Sequence, residues 1–181
     1  MDTDDCRLGS VRVTDEQVEL WGVSTEELTR LAIANSVRES PPVLRNIEDV
    51  LREILVNNGG SCCGFDLKEL NECCEEQEFP MYVLTNQRCH MGASALLALP
   101  FLYEFRERIG EDFWILPSSI HEVILVPVSK VSDRERLSAM VHDINETQVP
   151  PQEVLADTVY SFCEFENLMP ADFRMQLQAG A

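Results

Sequence analysis

Positive charge is scarce in this sequence: 14 Lys and Arg stand against 32 Asp and Glu, giving a formal net charge of −18 over 181 residues. So acidic a chain repels phosphate backbones and anionic headgroups, so direct binding to nucleic acid or to a membrane surface is not expected. Long apolar runs are missing too, since no stretch reaches the roughly 18 consecutive apolar residues of a membrane-spanning helix. The opening carries Asp2, Asp4, Asp5, Asp15, Glu16 and Glu19 without the apolar centre of a secretory signal. A cytoplasmic protein with reduced cysteines is therefore the expectation. Gly59-Gly60 and Gly64 are not followed by the Lys-Ser/Thr of a phosphate loop. His121-Glu122 runs on into Val123, Ile124 and Leu125 and offers no second zinc-binding histidine on a helix.

What is present suffices for a folded domain. The composition is 45% hydrophobic and 25% charged, and a chain of this length can bury a core without disulfide staples. Val11 to Val13 reads as a short strand and Trp21-Gly22 as a turn. Ser24 with Glu27 is a capping-box signature opening a helix that must stop before Pro41-Pro42. Asn46 caps another helix, with Ile47, Val50, Leu51, Ile54 and Leu55 on one face. Further on, Met81 to Leu84 reads as a buried strand and Gly92 to Leu99 as a short apolar helix. Pro100 heads a helix with Phe101, Leu102, Phe105 and Ile109, closed by Gly110. Phe113 to Leu116 and Glu122 to Val128 form a hairpin around Pro117 to Ile120. Ser132 with Glu135 caps a helix burying Leu137, Met140, Val141 and Ile144, and Thr158 to Phe162 is a last strand. The fold class is α+β, a small mixed or antiparallel sheet with helices on one face and an N-terminal helical segment. Residues 1–58 supply a strand and helices packing on the core, 59–79 an acidic cysteine-bearing linker, 80–165 the core, and 166–181 a tail.

Two clusters hold chemistry-bearing residues. Cys62-Cys63, Cys73-Cys74, Cys89 and His90 include enough thiols and imidazole for zinc, which is the minor reading. Neighbouring cysteines in an extended chain point to opposite sides, and the nearby carboxylates raise thiol pKa values, so no cofactor is expected. The hairpin connection places Ser118, Ser119, His121 and Glu122 together. These are residue types of acid–base or nucleophilic catalysis, yet members of a triad normally come from separate elements.

Three stretches carry a resemblance. They are Pro80 to Asn86 leading to Gly92-Ala93, Ile115 to Val123, and Asn145 to Val149 followed by Glu153 to Asp157. With Leu20 to Val23, they resemble a bacterial family known as domain of unknown function 5688, over roughly Val11 to Phe165. Members resembling this chain are longer, which makes it comparable to a C-terminal part. The resemblance implies no activity, substrate or cofactor. The leading expectation is a cytoplasmic, non-enzymatic interaction or regulatory domain whose partner is another protein. Its recognition surface would use Thr85, Asn86, Ser118, Ser119, His121, Glu122, Asn145 and Gln148. One alternative is a hydrolase-like enzyme with His121 as base and Ser118 or Ser119 as nucleophile, oriented by Asp143 or Asp157. Another is an acidic decoy of a nucleic-acid-binding protein.

Overall fold

Polar–apolar alternation fails in the central strands. Phe113-Trp114-Ile115-Leu116 and Val123 to Pro127 are apolar at every position, and strands of that kind are covered on both faces. The computed structural model, which describes residues 11–50, 81–117, 119–131 and 133–169, has that arrangement. Cys62, Cys63, Cys73, Cys74, Ser118, Ser132 and the 59–79 linker lie outside the described residues.

Five strands form one antiparallel sheet: β1 (Pro42–Asn46), β2 (Tyr82–Asn86), β3 (Phe113–Leu116), β4 (Val123–Pro127) and β5 (Tyr160–Ser161). Their order is β1-β2-β4-β3-β5. The hairpin is as expected, with Ile115 opposite Leu125 and Leu116 opposite Ile124. Strand β2 lies on the other side of β4, with Leu84 opposite Val123. Pro127 ends its strand, where a missing N–H disturbs the ladder least.

The helices cover both faces of the sheet, which corrects the expectation of helices on one. On one face Val83, Leu116, Ile124 and Val126 pack with Leu137, Val141 and Ile144 of helix α4 (Arg134–Thr147). On the other, Leu84, Phe113, Ile115, Val123 and Leu125 meet a 3-10 helix (Gly92–Leu97), α3 (Leu99–Ile109) and Phe162 of α5 (Phe162–Leu168). A row of rings crosses this second face: Tyr82 on Phe105 at 5.0 Å, Phe105 on Phe113 at 5.0 Å and Phe113 stacked on Phe162 at 5.0 Å. Edge-to-face and offset pairs of this kind add about 0.5–1.5 kcal/mol each beyond the area they bury.

The N-terminal segment departs from its reading in the place of its strand and in an additional first helix. Residues 11–14 form no strand, and Val11 is 83% exposed. Thr14 is instead the N-cap of α1 (Asp15–Trp21), in a capping box with Gln17, and Gly22 closes the helix in the left-handed region. The segment's strand is β1, paired along its length with β2, so these residues contribute an edge to the central sheet. Helix α2 (Thr25–Glu39) starts where Ser24 accepts the Glu27 N–H and ends before Pro41. Neither α1 nor α2 fully buries a residue. Asn46 accepts the Glu48 N–H at the start of the helical residues 47–50, and Ile47 and Val50 join the core on the α4 face. Helix α4 is capped by Asp133, whose carboxylate accepts the Arg136 N–H.

Candidate functional site

The sheet order brings the C-terminal ends of β2 and β3 and the start of β4 to one end of the sheet. Three stretches far apart in sequence meet there: the 87–91 turn, the 117–122 connection and the 150–157 segment.

The first stretch is organised by Asn86, which is 4% exposed. Its side-chain N–H donates to the His90 carbonyl at 2.9 Å, and its Oδ1 accepts from the Arg88 N–H at 3.0 Å and the His90 N–H at 3.4 Å. The turn so held carries Cys89 and Met91 at φ 48° and 52°, a conformation non-glycine residues rarely take. Gly92 follows at the head of the 3-10 helix. A β-carbon there would stand 2.1 Å from Thr85 Oγ1 and 2.3 Å from the His121 carbonyl oxygen. Only glycine lets these backbones approach so closely.

The second stretch is locked to the first. Thr85 Oγ1 donates to the His121 carbonyl at 2.8 Å, and the Ala93 N–H donates to the Ile120 carbonyl at 3.1 Å. The imidazole takes part as well: Met91 N–H donates to His121 Nδ1 at 3.2 Å. An accepting Nδ1 places the ring proton on Nε2. The third stretch closes on the second through Ile120 N–H to Glu153 carbonyl and Ala156 N–H to Pro117 carbonyl, both 2.9 Å. A β-bridge joins Ser119 and Val154. Asn145, 7% exposed on α4, donates to the Ala156 carbonyl at 3.1 Å and to Asp157 at 2.5 Å.

The structure thus brings together Thr85, Asn86, Ser119, His121 and Glu122, with Asn145 bracing the third stretch from behind. Gln148 is exposed at the end of α4, where its N–H caps the Ile144 carbonyl. Ser119 is 5% exposed; its hydroxyl oxygen accepts the His121 backbone N–H at 3.0 Å and the hydroxyl also bonds to Glu122. No serine oxygen among the described residues bonds to the His121 ring. The carboxylate facing that ring is Glu153, 3.8 Å from Nε2. It is neither Asp143 nor Asp157, the latter standing 3.7 Å from His142. Sequence reasoning missed Glu153 as a partner, although it lies in one of the stretches carrying the family resemblance.

Glu122 is 2% exposed, and burial pushes its carboxyl above the ordinary value. The His121 imidazole and the Ser119 hydroxyl act in the opposite direction, while Glu153 adds to the rise. His90 lies over His121 with ring centroids 5.3 Å apart. Among the exposed residues of these stretches are Gln87, Arg88, His90 and Met91 on the first, the last at 49%, and Pro151, Gln152, Leu155 at 42% and Asp157 on the third. Among the described residues no group of three or more His, Cys, Asp or Glu is arranged to hold a metal ion, and no helix is long and apolar enough to cross a membrane.

No curated protein and no solved structure is significantly similar to the chain. A family profile does match, over residues 1–164, and so spans all three stretches that build this end of the sheet. The chain belongs to that family, a family of unknown function (DUF5688).

Proposed function

We propose that this chain is a cytoplasmic, non-enzymatic interaction domain, and that the end of the sheet built from 87–92, 117–122 and 153–157 is its protein-recognition ledge. The observation that carries this reading is how the polar groups are spent. Thr85 turns onto the backbone of the neighbouring connection, and Asn86 and Ser119 onto backbone groups of their own stretches, which leaves the serine of the described connection without a base. What faces outward includes two apolar side chains on backbone tied to the connection: Met91 and Leu155 are each more than 40% exposed, Met91 N–H donates to His121 Nδ1, and the neighbouring Ala156 N–H donates to the Pro117 carbonyl. A rigid anchor binds with less ordering cost, and a methionine adapts to irregular apolar surfaces. The net charge of −18 favours a protein partner over nucleic acid.

The test is photo-crosslinking in the source cells, with a benzophenone amino acid placed at Met91, at Leu155, or at Lys130 beyond the far end of β4. The ledge positions should give the same discrete adduct and Lys130 none. Equal labelling at all three positions, or none at the ledge, contradicts the proposal.

A further inference from the structure

We infer that His121 is a proton-operated catch on the 87–91 turn, so that acidification releases Met91 from its held conformation. The consequence for partner binding rests on the ledge reading above; the catch itself does not.

Four observations converge. First, one ring nitrogen holds the turn: Nδ1 accepts the Met91 N–H at 3.2 Å, which is possible only while Nδ1 is unprotonated. Second, the residues being held resist it. Cys89 and Met91 both sit at positive φ, so the turn stays as it is only while neighbouring bonds offset that strain. Third, the ring has an alternative partner: Nε2 already faces Glu153 Oε1 at 3.8 Å. Fourth, the His90 ring on the turn lies 5.3 Å from that of His121.

A proton arriving from solvent at Nδ1 sets two N–H donors against each other, and the Met91 bond is lost. The imidazolium is drawn toward Glu153. Protonation of His90 as well adds like-charge repulsion between the turn and the connection. The charged and titratable groups facing His121 are thus His90 on the turn, Glu122 next to it in the chain and Glu153 on the returning segment. Because burial holds the Glu122 carboxyl above the ordinary range, Glu122 loses its charge early on acidification. The Asn86 bonds to Arg88 and His90 persist, so the release is confined to Met91 and its immediate neighbours.

The experiment is NMR of the isotope-labelled full chain across the range of imidazole titration, about pH 5 to 8. At the upper end the ring nitrogens of His121 should report the Nε2–H tautomer. On acidification the Met91 amide should titrate in step with His121, and its hydrogen exchange, corrected for intrinsic rate, should rise about three- to tenfold, as expected for losing one such bond. His121→Asn presents a non-titrating acceptor near the Nδ1 position and should keep the Met91 amide protected at low pH; His90→Gln should retain the transition. An Nδ1–H tautomer, a Met91 amide indifferent to the titration of His121, or an unchanged response in His121→Asn overturns the proposal. Should that variant not fold, the tautomer and the Met91 titration of the unaltered protein decide. Crosslinking at Met91 and Leu155 at neutral pH is unaffected by failure of the catch, so the two readings fail separately.

Discussion

The Thr85 hydroxyl donates to the His121 carbonyl at 2.8 Å, joining two residues 36 positions apart, and Gly92 lies against both. Around this contact the turn after β2 and the connection before β4 become one unit. The unit has little slack, and that makes it testable by small substitutions.

Gly92→Ala should destabilise the protein by about 2–3 kcal/mol, the upper part of the range for overpacking. The added methyl meets the His121 carbonyl and the Asn86 backbone nitrogen as well as Thr85 Oγ1, so removing that oxygen with Thr85→Ala should not rescue it. Gly110→Ala is the control. Its β-carbon has open space, and the residue sits at φ 74°, so only the left-handed penalty of about 1–2 kcal/mol applies. Denaturant titration of both variants checks the difference.

Asn86→Ala removes three hydrogen bonds to the 87–91 turn at once. At about 0.5–1.5 kcal/mol for each bond, a loss of roughly 2–3 kcal/mol is expected. Amide exchange of Arg88 and His90 should accelerate well beyond that of the sheet. Uniform loss of protection through the whole protein would argue against a local clamp.

Glu122 gives a pH signature of defined sign. Its folded pKa is raised above the ordinary 4.5, so the folded state holds the proton more tightly than the unfolded chain does. The stability this contributes is fully present below the unfolded value and is lost as pH rises through the folded value. Glu122→Gln keeps an acceptor for the Ser119 hydroxyl and removes the titration. The stability of the unaltered protein relative to this variant should therefore decline as pH rises from the ordinary 4.5 through the raised folded value. A difference that is flat with pH contradicts the assignment.

Much of the fold was legible because local chemistry decides it. Ser24 with Glu27, Asn46 before Glu48, Pro100 near a helix start and Gly110 after a helix end all act within one turn of chain, and each element begins or stops there. Val11 to Val13 failed for want of a partner: Thr14 starts a helix immediately afterwards, leaving three residues with nothing to pair to. Strand β1 was hidden by Pro42, which is tolerated at the first position of an edge strand. Cover on both faces was readable in the unbroken apolar runs of β3 and β4, a signal that alternation-based reading passes over. The candidate site was legible as three separate stretches only. Their meeting depends on β2 pairing with β4 rather than with β3, and the Glu153–His121 approach depends on the backbone bonds that fold 150–157 back onto the connection. Neither contact is local, so no spacing reports it.

The most direct test of the recognition ledge is the affinity of the crosslinked partner for alanine variants of the full chain. Met91→Ala combined with Leu155→Ala should weaken binding by about tenfold or more, the scale of a lost anchor, with the fold intact. Lys130→Ala at the far end of the sheet should leave affinity unchanged. Equal affinity for the ledge variant and the unaltered protein would contradict the account.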